Sequence, residues 1–382
     1  MNFVIFFSIF FLVYGLINFY IFLRGWQSIP ADSPLRIPYA AIFWILALSF
    51  IAGRFLERVA ITPFSTAVVW VGSFWFAAFA YFALSLLLID ILRLLNHVIP
   101  IFPSFVTANI ARTKEVLAVG LCSAVVLAIV VGYFNARSPR VKVLELSIPK
   151  QADSLKTLNI AVASDIHLGT IIGRERLNGI VDKINNLHPD LVLFPGDIVD
   201  EDLAPVINQN LGETLRTIKA KYGVYAITGN HEYIGGVEEA VTYLTEHGIR
   251  VLRDEAVSVN GGIVLVGRED RSITQFNGKK RKPLADIMAG VDKRYPIILM
   301  DHQPFGLHEA VEHGADVQLS GHTHHGQLFP INWITNRQYE LSWGHIKKNR
   351  THVFVTSGVQ LWGPPVRTAG ISEIMLIDVA FR

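Results

Sequence analysis

The stretch "LNIAVASDIH", Leu158 to His167, decides how the chain is read. A short apolar run, broken only by Asn159 and Ser164, ends directly in an Asp-x-His. Continuous apolar runs of this length, bounded by polar residues, read as strands buried on both faces. The same pattern recurs along the chain. "DLVLFP" (190–195) runs into Gly196-Asp197, and "GVYAIT" (223–228) into Gly229-Asn230-His231-Glu232. "PIILM" (296–300) runs into Asp301-His302, and "ADVQLS" (315–320) into Gly321-His322-Thr323-His324. Two further runs, 263–267 and 353–358, lack such an ending, and "EIMLIDV" (373–379) closes the series.

Helical patterns lie between these runs, at 174–187, 211–221 and 237–247. Asp165 and Asp197 are 32 positions apart, and Asp197 and Asn230 are 33 apart. That is the length of a strand, a crossover helix and the next strand. The expected fold class is therefore α/β. The polar clusters fall at the carboxyl ends of strands, where open α/β sheets place their sites.

A lone Asp after a strand is most simply a helix N-cap, and a lone loop His usually faces solvent. Five strand ends closed by such residues in one domain form a set. Asp165, Asp197 and Asn230 supply oxygens; His167, His302, His322 and His324 supply imidazoles. Mixed imidazole and carboxylate ligation suits Mn, Fe or Zn. Seven ligands exceed what one such ion takes, whereas two ions sharing one carboxylate use all seven. Asp197, the middle carboxylate of the early clusters, is the natural bridge. Paired ions of this kind serve hydrolysis, most naturally of phosphate esters.

The spacing is read as follows. On an extended segment, residues i and i+2 face the same way, so Asp165 and His167 reach one ion, and His322 and His324 repeat the arrangement. Gly196, Gly229 and Gly321 each precede a ligand, where a tight turn favours glycine. His231 directly follows Asn230 and points elsewhere, which frees it as a general acid for the leaving group.

The ordered set D-x-H, G-D, G-N-H-E, a single His and G-H-x-H resembles the calcineurin-like metallophosphoesterase family over residues 157–380. The resemblance implies a four-layer α/β sandwich with two sheets. It assigns Asp165, His167, Asp197 and His324 to one metal, and Asp197, Asn230, His302 and His322 to the other. It makes His231 the proton donor. "GHTHHGQ" and "SGVQLWGPPVRT" (357–368) look like the bacterial membrane-associated branch, although His325-Gly326 stands where Gly-Gly is usual there. His325 is thus no ligand by the motif, and is left either touching substrate or without a role.

The rest of the chain differs sharply. Residues 1–136 hold seven of the 34 Lys/Arg, four of the 32 Asp/Glu and one of the 13 His. Across the 382 residues, hydrophobic residues make up 51% and charged ones 17%, against about a quarter charged in soluble proteins. Four uncharged apolar runs, 2–23, 37–53, 64–89 and 116–134, approach or exceed the roughly 20 residues that cross a bilayer. The first lacks a basic n-region and a small-x-small cleavage site, so it reads as retained. The expected organisation is a membrane module over 1–136, a linker with a first strand over 137–156, and a phosphoesterase domain over 157–382.

Four spans leave both termini on one side. Six Lys/Arg flank the spans there (Arg54, Arg58, Arg137, Arg140, Lys142 and Lys150), against five on the other. Positive-inside counting then puts the catalytic domain in the cytoplasm, on the inner membrane. With no charge within the apolar runs, nothing points to an ion pathway. A net charge of +2 makes no case for a nucleic-acid polymer, and the single Cys122 forms no internal disulfide.

Three features stay open at this level. Arg367 either grips a substrate phosphate with its fork or is a surface loop residue. The run Lys279-Lys280-Arg281-Lys282 either meets anionic lipid or is a solvated loop. Residues 328–339, an apolar insertion beside the last cluster, either cap the core or dip toward a bilayer. The leading expectation is a membrane-anchored hydrolase cleaving phosphomono- or diesters, lipid- or nucleotide-linked, through a metal-activated hydroxide. The alternative is a non-catalytic metal-binding scaffold or sensor.

Overall fold

The structure, a computed structural model, describes residues 3–260 and 262–382. Met1 and Asn2, counted above in the membrane module, lie outside the described residues. The chain divides into two compact units, Met1–Gly132 and Tyr133–Arg382.

Among the described residues, four helices are long and apolar enough to cross a membrane: Ser8–Trp26, Arg36–Val59, Pro63–Val98 and Ile110–Arg137, whose last turn lies beyond the first unit. Their interface carries a small polar cluster. Tyr14 Oη donates to the Ala47 carbonyl at 2.8 Å, and Trp75 Nε1 donates to Asn18 Oδ1 at 3.1 Å. Polar groups among apolar helices persist when they find partners in this way.

The second unit is built on two six-stranded mixed sheets. The first contains β1 (Arg140–Ile148), β2 (Thr157–Val162), β3 (Leu191–Pro195), β4 (Val224–Ile227) and β5 (Ile249–Leu252). The second contains β6 (Glu255–Val259), β7 (Ile263–Gly267), β8 (Ile297–Met300), β9 (Val317–Ser320), β10 (Gly344–Lys348) and β11 (Thr351–Val355). The chain then returns to the first sheet as β12 (Glu373–Phe381). The spatial orders are β1-β12-β2-β3-β4-β5 and β10-β11-β9-β8-β7-β6.

The apolar runs are continuous because both faces of each sheet are covered. Leu158, Ile160, Leu191 and Leu193 of the first sheet meet Leu265, Ile298, Met300 and Leu319 of the second in the central core. The opposite face of the first sheet, with Ala161, Val192 and Phe194, packs on helix Arg174–Asn186 through Leu177, Ile180, Val181 and Ile184. That i, i+3, i+4, i+7 spacing forms one apolar stripe. Val266, Ile297 and Leu299 of the second sheet pack on Leu284, Ile287, Met288 and Ala310. The result is the four-layer helix–sheet–sheet–helix sandwich. Each of these Leu and Ile side chains contributes about 1.5–3 kcal/mol on burial.

Some local expectations differ. The helical pattern at 211–221 yields only Leu211–Leu215, and the short strands β5, β6 and β10 carry no sequence signal strong enough to stand out. The basic run at 279–282 is not uniformly solvated. Arg281 turns inward, and its Nη1 donates to Asp301 Oδ1 at 2.8 Å.

Candidate metal centre

The five clusters follow β2, β3 and β4 of one sheet and β8 and β9 of the other. The two sheets bring their ends to a common rim. His302 Nδ1 lies 2.7 Å from the Pro195 carbonyl at the end of β3, joining the sheets at the site. His167 Nε2 and His324 Nε2 are 3.0 Å apart, and His324 Nε2 is 3.5 Å from Asp165 Oδ1. Asp197 Oδ2 lies 3.0 Å from His302 Nε2 and 3.8 Å from His167 Nε2, so one oxygen faces both groups. Asn230 Oδ1 is 3.2 Å from His302 Nε2 and 2.7 Å from His322 Nδ1. All seven candidate ligands therefore converge.

The reason for their convergence is not the one the spacing suggested. The backbone at Asp165 (φ 57°), His167 (φ 52°), Asp197 (φ 52°), His322 (φ 72°) and His324 (φ 47°) is left-handed, not extended. Asp, Asn and His tolerate that region better than other side chains, and strain of this kind collects at functional sites. The glycine reading also changes. Only Gly196 has a positive φ, at 90°. Gly229 is extended (φ −110°), and a Cβ there would collide with the Asp197 carboxylate. A Cβ on Gly321 would strike Ser164 and Asp165. These two positions need empty space, not a special turn.

The donor set fits cations. Asp165 and Asp197 are buried, at 0% and 1% exposure. Among the described residues, no Lys or Arg pairs with either. Asp165 Oδ2, His167 Nδ1 and His324 Nδ1 are buried without hydrogen-bond partners. Burial, and then neighbouring His302, pushes His322 down to about 3. Burial and the adjacent His167 hold His324 well below its ordinary value. Both imidazoles therefore keep a free lone pair, the form a metal requires.

A family model described as calcineurin-like phosphoesterase matches residues 158–326. An uncharacterized metallophosphoesterase of Helicobacter pylori strain J99 is 34% identical over 249 residues, covering 63% of this chain and 64% of that one. A Danio rerio protein named transmembrane protein with metallophosphoesterase domain is 32% identical over 281 residues, covering 68% and 64%. This chain thus spans 64% of the length of both relatives. An uncharacterized metallophosphoesterase of Aquifex aeolicus is 30% identical over 235 residues, which cover 61% of this chain and 87% of that one.

The chain belongs to the calcineurin-like phosphoesterase family.

Two residues that sequence reasoning passed over organise the site of this family member. Glu232 was visible in "GNHE" but had no role. Its carboxylate is buried and accepts from the backbone N–H groups of Asp197 (3.1 Å), Ile198 (2.7 Å), Val199 (2.9 Å) and Gly229 (2.7 Å). It therefore ties the β3 and β4 loops together. Asp200 is the other, three positions after Asp197. Its Oδ1 lies 3.1 Å from His231 Nδ1 and 3.7 Å from His167 Nδ1. Asp165, His167 and His324 form one compact ligand group, Asp197, His302 and His322 a second, and His167, Asp200 and His231 a third.

His231 sits at the rim, 6% exposed, with its ring centroid 4.5 Å from that of His167. Its backbone N–H donates to Asp197 Oδ1 at 2.9 Å. Burial opposes charging the imidazole, but Asp197 and Asp200 outweigh it and raise its pKa to about 9.

Arg367 requires a correction. It is fully buried. Its Nη1 donates to the His324 carbonyl at 3.1 Å and its Nη2 to the Gln360 carbonyl at 2.7 Å. A guanidinium committed to two carbonyls inside the protein is not presented to a substrate; it pins the turn that carries His324. His325 packs against Trp343, with centroids 4.9 Å apart, away from the ligand group.

Proposed function

We propose that the chain is a membrane-anchored, dinuclear-metal phosphoesterase. Residues 1–136 would form the membrane module and 157–382 the catalytic domain, on the cytoplasmic side by the positive-inside count. The observation that carries the reading is Asp197 Oδ2 facing both His167 and His302, which lets one carboxylate serve two ligand groups. Asp165, His167, Asp197 and His324 would hold one divalent ion, and Asp197, Asn230, His302 and His322 the other. Mn, Fe or Zn suits these donors. When bound, the ions lower the pKa of water and take up charge on phosphoryl oxygens.

The remaining chemistry belongs to this chain's own residues. His231, protonated and held by Asp200, delivers its Nε2 proton to the leaving oxygen. Glu232 fixes the backbone on which Asp197 and Asn230 stand. The substrate class is a phosphate ester, with a nucleotide- or lipid-linked leaving group.

The test uses the full chain in lipid nanodiscs with Mn and bis-p-nitrophenyl phosphate. Turnover should appear with the ion and vanish with chelator. Full turnover in the Asp197→Ala variant would place the activity elsewhere and leave the site as a binding scaffold.

A further inference from the structure

Helix Ile331–Gln338 buries none of its residues. Trp333 and Ile334 are 65% and 64% exposed, and nearby Phe329 is 48% exposed. The rings of Phe329 and Trp333 meet edge to face, with centroids 5.2 Å apart. This cluster adjoins the metal centre. Gly326, which ends the turn carrying His324, packs against the backbone of Ile331 and Asn332. Gln327 Nε2 donates to the Trp362 carbonyl at 3.1 Å. Trp362, itself 44% exposed, lies 5.8 Å from the His231 ring.

An exposed apolar patch at the mouth of a site implies an occupant, and a second observation identifies it. The last turn of helix Ile110–Arg137 belongs to the second unit. There, Asn135 Nδ2 donates to the carbonyls of Arg367 and Gly370, at 3.1 and 3.2 Å. Between those two residues, Thr368 Oγ1 accepts from the Phe329 N–H at 2.9 Å. A single loop thus holds both the end of a membrane-length apolar helix and the root of the exposed cluster. Charge agrees with this placement. A pocket of about 200 Å3 at the same helix end is lined by Lys183, by Arg137, which pairs with Glu175 at 2.6 Å, and by the buried Arg176. Trp and Phe are enriched at the bilayer interface, and basic side chains beside it attract anionic headgroups.

We propose that residues 329–334, with Trp362, dock on the headgroup–acyl boundary of the bilayer that helix Ile110–Arg137 enters. The docked cluster sets the metal centre at the lipid surface, where the substrate is a phosphate ester carried on a lipid. The proposal rests on the membrane reading of the first unit.

The test places nitroxide labels in the full chain carrying Cys122→Ser, reconstituted in nanodiscs of phosphatidylcholine with a minority of phosphatidylglycerol. Ile334→Cys and Phe329→Cys report the cluster. Leu127→Cys reports the apolar helix, and Arg294→Cys reports an exposed polar loop. The readout is relaxation by oxygen relative to an aqueous nickel chelate. A ratio at 334 and 329 several-fold above that at 294, approaching that at 127, supports docking. If 127 reads as lipid while 334 and 329 match 294, docking is overturned and the membrane reading stands. If 127 also reads as aqueous, the membrane reading falls and docking falls with it. Shielding of 334 from both relaxants, with dipolar broadening, identifies a second copy of the chain as the occupant and overturns the lipid assignment.

Discussion

The Nε2 atoms of His167 and His324 lie 3.0 Å apart, although 157 positions separate the residues in the chain. The two rings are buried beside Asp165, with no Lys or Arg paired to that carboxylate among the described residues. Facing nitrogens of this kind either share one proton in a hydrogen bond or turn both lone pairs to a common cation.

In the proposed centre Asp197 serves both ligand groups, so its loss should affect both. The Asp197→Ala protein should fall from about two bound ions per chain to less than one. Its activity should drop by more than the roughly 10–100-fold that an outer-shell change costs. Elemental analysis of the purified protein checks the first and nitrophenyl phosphate turnover the second. Retention of two ions would remove Asp197 as the bridge.

His231 stands outside the two proposed ligand sets. His231→Gln should leave metal content unchanged while lowering kcat by about 10²–10⁴-fold on an alkyl phosphate, whose leaving oxygen needs a proton. On p-nitrophenyl esters, whose leaving group departs without one, the loss should be much smaller. Equal losses on both substrates would assign His231 to binding.

Glu232 accepts four backbone N–H groups from two loops. Glu232→Gln turns one acceptor into a donor aimed at those N–H groups. The expected cost is about 2–4 kcal/mol, visible as a lower melting temperature. Metal affinity should weaken with it, because Asp197 and Asn230 stand on the loops it joins. Unchanged melting and metal affinity would show that the loops hold themselves.

Arg367→Met keeps the buried bulk but leaves the carbonyls of His324 and Gln360 without their donor. Stability should fall by about 2–4 kcal/mol, while KM for a soluble aryl phosphate in the folded fraction stays near the parent value. A large rise in KM without loss of stability would return Arg367 to the substrate.

The fold class was legible because buried strands are simple to recognise. The runs at 158–164, 190–195, 296–300 and 315–320 are apolar on both faces and end in polar clusters. Strands β6 and β10 were not legible. Each lies at a sheet edge, where exposure dilutes the apolar pattern. All seven candidate ligands were legible as residue types at strand ends. The left-handed backbone that aims five of them was not, since φ leaves no compositional trace beyond the choice of Asp and His. Glu232 and Asp200 were hidden for another reason. Their importance lies in what they hold, and a sequence shows spacing rather than partners. Arg367 was misjudged because a basic residue in a Pro-rich loop looks solvent-facing until its burial is seen.

Strand β12 lies between β1 and β2 and pairs with β1 along all nine residues, from Arg140 opposite Glu373 to Ile148 opposite Phe381. During biosynthesis, β1 leaves the ribosome more than two hundred residues before the strand that completes its ladder. Until then β1 waits as an unpaired edge, and its sheet stays open behind the site. Such a long-range closure is slow to form and offers a handle for chaperones or proteases in the interval. Nascent chains arrested before residue 373 should accordingly be cleaved within 140–170, and chains arrested with β12 outside the exit tunnel should resist.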